Sequence, residues 1–194
     1  MLKLIGTLSC IWLLMAIIST MAQDQPPVLD TAGRPVRSGV EYYILPAATD
    51  IAGGLTLVAR NGSCPSFVGQ EPLTPVVSQG LPVVFSPYVA GETIVRESSS
   101  FIIEFSAAST CVSSTKWNLV ARDPATSRRN IVIGRSGSYF MITKENNLYY
   151  LAFCPADTCN TCKFDCGTAG ITIENGTRFL TLDGPVFPFR FRRA

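Results

Sequence analysis

From Val28 onward, short runs rich in Val, Ile, Phe, Tyr and Thr alternate with clusters of Gly, Pro, Asn, Asp and Ser. β-Branched and aromatic side chains suit a pleated, half-buried surface, and the intervening residues build turns, so each run is predicted as a strand. The predicted strands are Glu41–Leu45, Leu55–Ala59, Ser66–Val68, Pro82–Phe85, Thr93–Arg96, Phe101–Phe105 and Lys116–Ala121. They continue with Asn130–Gly134, Tyr139–Thr143, Leu148–Phe153, Gly170–Glu174, Arg178–Leu182 and Val186–Arg192. In the last run Phe187, Phe189 and Phe191 point one way and Pro188, Arg190 and Arg192 the other, the period of two that a strand imposes. No segment after residue 22 sustains a helical period over ten residues. Many short strands without helices predict an all-β domain, closed or two-layered. The spacing divides into three units of similar length, Val28–Pro82, Val83–Gly137 and Ser138–Ala194, with about four strands each. Three such units make a β-trefoil of about twelve short strands in three pseudo-repeats; a jelly roll or other sandwich is the rival arrangement.

The first 22 residues follow a different pattern. Lys3 is the only charge, Leu4 to Ile18 is apolar, and Thr20-Met21-Ala22 offers small residues at a peptidase site. The apolar run is shorter than the ~20 residues of a spanning helix, and the sequence has the form of a secretory signal peptide cleaved near Ala22. A buried core helix, the other reading, would show a polar face. The expected organisation is a leader over 1–22 and one domain over 23–194, secreted and with no membrane anchor.

Cleavage removes Cys10 and leaves Cys64, Cys111, Cys154, Cys159, Cys162 and Cys166. Four of the six crowd between Phe153 and Gly167, which suits either a four-thiolate metal site or two nested disulfides. A secreted chain with an even number of cysteines points to disulfides, and the metal reading survives only in a reducing compartment. Two sequons, Asn61-Gly62-Ser63 and Asn175-Gly176-Thr177, fit the same secreted setting.

Composition then removes function classes. The chain has no histidine and a net charge of +2. Ser-His-Asp and Cys-His nucleophile systems are therefore excluded, as is histidine-ligated catalytic zinc, and a simple acid switch is disfavoured. Balanced charge excludes a typical nucleic-acid binder. Asp30-Thr31-Ala32-Gly33 and Asp183-Gly184 faintly resemble the loops of aspartic proteases, but read better as Asp/Gly turns. Arg190, Arg192 and Arg193 read as a solvated strand face, with a targeting or membrane role as the sharper alternative.

Several longer stretches carry a resemblance. Val28-Leu29-Asp30-Thr31-Ala32-Gly33-Arg34-Pro35-Val36, followed by Tyr42-Tyr43-Ile44, resembles the opening signature of the Kunitz soybean trypsin inhibitor family. Ala32 departs from it, since that position is usually acidic or polar. Asn61-Gly62-Ser63-Cys64-Pro65, Ser113 to Leu119, and Tyr149-Tyr150-Leu151-Ala152-Phe153-Cys154-Pro155 match further along. Cys159-x-x-Cys162-x-x-x-Cys166-Gly167, then Gly170 to Ile173, is similar to the miraculin-like branch. The resemblance implies a β-trefoil secreted by a plant, without catalysis or cofactor, that inhibits a protease of the serine endopeptidase class. It also implies the bridges Cys64–Cys111, Cys154–Cys166 and Cys159–Cys162. With all six thiols consumed, a monomer is expected.

The resemblance further implies where an inhibitor meets its target. The loop after the fourth strand corresponds to Ser86–Thr93, and alignment from its two ends puts the scissile position at Val89 or nearer Gly91. Tyr88, Val89, Ala90 and Gly91 are therefore the reactive-loop candidates. None is the Lys or Arg that the acidic pocket of trypsin takes; Val89 or Ala90 suits an elastase-like or subtilisin-like pocket, and Tyr88 a chymotrypsin-like one. A supporting Asn in the inhibitory relatives corresponds here to Ser38, which has fewer hydrogen-bonding groups. Arg128 and Arg129 form a second candidate loop. The alternative function is a non-inhibitory binding, storage or defence glycoprotein of the same fold; a ricin-type lectin is disfavoured, since the chain has no Gln-x-Trp triplet.

Overall fold

The alternation of apolar side chains is satisfied by closing the strands on themselves. The computed structural model describes residues 25–48, 51–161 and 163–194. The predicted leader, its cleavage position and Cys162 lie outside them. The strands are β1 (Tyr42–Pro46), β2 (Leu55–Val58), β3 (Phe67–Gln70), β4 (Val83–Pro87), β5 (Phe101–Phe105) and β6 (Lys116–Arg122). They continue as β7 (Arg129–Gly134), β8 (Met141–Glu145), β9 (Leu148–Phe153), β10 (Gly167–Glu174), β11 (Thr177–Leu182) and β12 (Phe189–Arg193). One 3-10 turn, Ala156–Thr158, is the helical element among the described residues.

The pairing has threefold logic. In each repeat the second and third strands form a hairpin: β2 with β3, β6 with β7, β10 with β11. The first and fourth meet at one position each, Tyr42 with Val83, Phe101 with Phe140, and Tyr149 with Phe189. Successive repeats join through β4–β5, β8–β9 and β12–β1. Six strands thus close a barrel and three hairpins cap it, which is the trefoil and not a sandwich. The repeats are β1–β4, β5–β8 and β9–β12. The predicted cuts at Pro82 and Gly137 fall one strand too early, because local breakers mark loops whereas the repeats are defined by long-range closure.

Inward residues fill the barrel. Phe85 packs edge-on to Phe101 at 5.4 Å and to Phe191 at 5.8 Å. All three rings are buried, each stabilising the fold by roughly 2–3 kcal/mol. The outward alternates Arg190 and Arg192 line the other side of β12. Two hairpin turns are formed by Asn146-Asn147 and Asn175-Gly176, all four residues at positive φ, as a two-residue turn matched to strand twist requires. Predicted strand Thr93–Arg96 is replaced by isolated bridges from Ile94 to Arg37 and from Arg96 to Pro27. It is wedged between two N-terminal segments and never enters the barrel.

Candidate functional site

The excursion between β4 and β5, residues 88–100, leaves the barrel and returns. Tyr88 donates its N–H to the Ser100 carbonyl at 2.9 Å, which fastens the two stems together. Its ring stands edge-on to Tyr139 at 5.1 Å. At the tip the Glu92 N–H reaches the Val89 carbonyl at 3.2 Å, closing a four-residue turn over Ala90 and Gly91. Gly91 has φ +82°, the value that the third residue of a type II turn demands. Val89, 63 % exposed, and Tyr88, 43 % exposed, are the large apolar side chains that this loop offers to solvent. The tip is thus a tight turn.

The returning limb is held by a carboxylate clamp. Glu92 accepts the N–H groups of Thr93 at 3.0 Å and Ile94 at 2.9 Å, and its second oxygen takes Arg96 Nε at 3.2 Å. The Ile94 N–H first, then the Arg96 guanidinium, hold the Glu92 carboxyl below its ordinary pKa. Ser38 supports the loop through its main chain, its N–H donating to the Thr93 carbonyl at 2.9 Å. Further along, the Ser100 N–H donates to Asp157 at 3.0 Å, tying the stem to the cysteine-rich loop. A loop ordered in this way loses little conformational freedom on binding.

The second candidate loop is arranged differently. Arg129 is 5 % exposed and cannot reach a protease, which corrects half of the Arg128–Arg129 expectation. Its guanidinium grips both Asp183 oxygens, at 2.7 and 2.8 Å, and donates to the carbonyls of Asp165 and Cys166. Arg122 joins the same network, at 2.7 Å from Asp165 and 2.9 Å from Asp183. The Arg129 hydrogen bonds pull the Asp183 carboxyl below its ordinary pKa, outweighing the opposing effect of burial. Asp30 is likewise structural: burial would raise its pKa, but the N–H groups of Arg34 and Ala32 and the Arg34 guanidinium lower it. Neither carboxylate is arranged as an acid or base for catalysis.

Cys64–Cys111 and Cys154–Cys166 are disulfides. Cys159 is also disulfide-bonded, while Cys162, its expected partner, is not among the described residues. The Cys154–Cys166 bond removes two thiolates from any four-cysteine metal site. Asn61 and Asn175 sit at exposed turns and border one shallow depression with Arg60 and Glu174.

A sequence profile of the Kunitz legume family, described as trypsin and protease inhibitor, matches residues 28–193. The chain belongs to this family. Kunitz type trypsin inhibitor 111 of Medicago truncatula is 40% identical over 197 residues, covering 96% of this chain and 94% of the relative. Miraculin of Synsepalum dulcificum is 37% identical, covering 92% and 88%. Among solved structures, the rice bifunctional alpha-amylase/subtilisin inhibitor from Oryza sativa superposes with a TM-score of 0.73 at 30% identity, covering 88% of this chain and all of that one. The family members are inhibitors and not enzymes. Sequence reasoning missed the Glu92 clamp, although Glu92 and Arg96 at a spacing of four offered a signal; it also missed Tyr139, for which the sequence gives none.

Proposed function

We propose that this protein inhibits a serine endopeptidase with a small aliphatic specificity pocket, of the subtilisin or elastase type, by presenting Val89. The observation that carries the proposal is the 88–100 loop itself: Val89 stands out at the tip of a turn braced by Ser38, Glu92, Ser100 and Tyr139. No Lys or Arg lies between Ser86 and Thr93, so trypsin is not the target of this loop. Arg128 remains the basic candidate on the neighbouring loop, with its partner Arg129 locked inside. The test is a titration of protein lacking residues 1–22 against subtilisin, elastase, chymotrypsin, trypsin and papain. Stoichiometric inhibition of subtilisin or elastase is expected; no inhibition of any at micromolar concentration would sink the proposal.

Ser38, which stands where the resemblance implies a supporting Asn and meets the loop through its main chain, favours the second reading, a non-inhibitory binding, storage or defence glycoprotein that keeps the fold. Loss of all protease inhibition together with retained ligand or glycan binding would select it. In both readings the protein is a secreted monomer glycosylated at Asn61 and Asn175. The support is two disulfides and a further bonded cysteine, Cys159, which suit an oxidising compartment, and two sequons on exposed turns. Intact-mass measurement of plant-expressed protein before and after deglycosylation, with gel filtration, checks these points.

A further inference from the structure

The reactive-loop region leaves one basic feature of the sequence unused, the outward face of β12. Arg190 stands opposite Leu45 and Arg192 opposite Tyr43 on β1, so both guanidiniums leave the barrel on one side. They line a cleft of about 250 Å³ with Leu45, Pro46, Val77 and Ser78. No acidic side chain is among the described residues that line it. Arg34, Arg60, Arg96, Arg122 and Arg129 each have a carboxylate within 3.2 Å, whereas Arg190 and Arg192, like Arg37, Arg128, Arg135, Arg178 and Arg193, form no ion pair among the described residues. Arg192 lies over the Tyr43 ring at 5.8 Å. Arg190 Nε is buried and meets no hydrogen-bond acceptor among the described residues. A buried, unsatisfied donor on a cation calls for an anionic acceptor.

The opposite wall is built rigidly. Gly54 donates its N–H to the Ser78 carbonyl at 3.0 Å, and Leu81 to the Leu55 carbonyl at 2.9 Å. A Cβ at Gly54 would fall 1.9 Å from the Gln79 carbonyl oxygen, and one at Gly80 2.0 Å from that of Leu55. Only glycine permits the two loops to approach so closely. The Ser78 hydroxyl oxygen accepts the Gly80 N–H at 3.2 Å, leaving its own O–H free to donate into the cleft. Leu45, Pro46 and Val77 add apolar surface to a lining that also includes Gln79.

We propose that this cleft is a binding site for a tetrahedral oxyanion, a phosphate or sulfate group on a small body with an apolar face. The Arg190 and Arg192 guanidiniums hold the anion, and the Val77 side supports the body. The site is separate from the Val89 loop and does not depend on the protease reading.

The test is calorimetric titration with phenyl phosphate, inorganic phosphate and benzyl alcohol at fixed ionic strength. Phenyl phosphate should bind saturably and more tightly than inorganic phosphate, and benzyl alcohol not at all. Arg190→Gln and Arg192→Gln should each weaken phenyl phosphate binding at least about tenfold. Arg193→Gln, which removes the same charge next to the cleft, should leave it unchanged. Val77→Asp, a change on an exposed loop, should abolish it and provides a second variant if those on β12 unfold. Absence of saturable binding, or an equal loss in Arg193→Gln, overturns the site; equal affinity for inorganic and phenyl phosphate overturns its apolar half.

Discussion

Replacing Gly91 by Ala isolates the conformation of the reactive loop from its contacts. Gly91 has φ +82°, and a Cβ built there meets nothing within 4 Å. The cost is therefore backbone strain alone, about 1–2 kcal/mol for a non-glycine residue in the left-handed region. The exposed loop can relieve that strain in the free protein by leaving the turn; if the turn is the form the protease binds, the complex must bear it, which raises the inhibition constant by up to about 5- to 30-fold. Whatever strain the free protein keeps lowers the thermal midpoint by only about 2–4 °C per kcal/mol in a chain of this size, so the weakened inhibition is read on folded protein. Gly176→Ala is the matched control, with φ +80° and equally open space, on a hairpin of the cap. It should show a similar thermal change and an unchanged inhibition constant. The assay is a progress-curve titration of subtilisin by wild type and both variants. An unchanged or lower constant for Gly91→Ala together with an unchanged thermal midpoint would mean that the protease binds an opened, extended loop, and would refute the turn as the active form.

The remaining predictions concern the clamps. Glu92→Ala should weaken inhibition while hardly changing the thermal midpoint, because the carboxylate orders an exposed limb rather than the core. Asp183→Ala removes the closer of the two carboxylates paired with the buried Arg129 guanidinium and leaves only Asp165 at 3.5 Å; it should cost about 3 kcal/mol in denaturant unfolding, with the inhibition constant unaffected. Asp30 and Asp183 both have folded pKa values below their ordinary 3.8, so the stability they supply is fully present above that value. It drains away as pH falls through the lowered values; acid unfolding should therefore begin below about pH 4, with a flat profile between about pH 5 and 8 where no histidine titrates. Replacing both Cys64 and Cys111 by Ser opens a loop spanning 47 positions and should cost about 4 kcal/mol by chain entropy.

Local patterns were enough for most of the architecture. Phe101–Phe105 and Leu148–Phe153 are strands over the predicted bounds, because each alternates or buries its apolar residues between clear turn residues. The threefold plan was visible, but its cuts were not. Val83–Pro87 completes the first repeat only through a single bridge to Tyr42, a contact across 41 positions that no local signal marks. Thr93–Arg96 has strand composition, yet its hydrogen-bond partners are N-terminal segments that prevent it from joining the barrel. The family resemblance named the candidate loop but not its turned tip, which depends on Gly91 and on the Glu92 carboxylate reaching two N–H groups. Arg128 and Arg129 looked equivalent in sequence. The difference arises from Asp183 and Asp165, which lie 54 and 36 positions from Arg129 and are brought beside it by the pairing of β11 with β7 and by the cysteine-rich loop, respectively. That loop, the most conspicuous feature of the sequence, has no catalytic part; through Asp157 it steadies the stem of the reactive loop.

The most direct measurement is the protease specificity of Val89→Arg. Trypsin's acidic pocket takes a basic side chain, and the surrounding loop is unchanged by a substitution at an exposed position. Wild type should inhibit subtilisin and leave trypsin active; Val89→Arg should inhibit trypsin stoichiometrically and lose affinity for subtilisin. A variant that leaves both enzymes as wild type does would contradict Val89 as the residue presented to the protease.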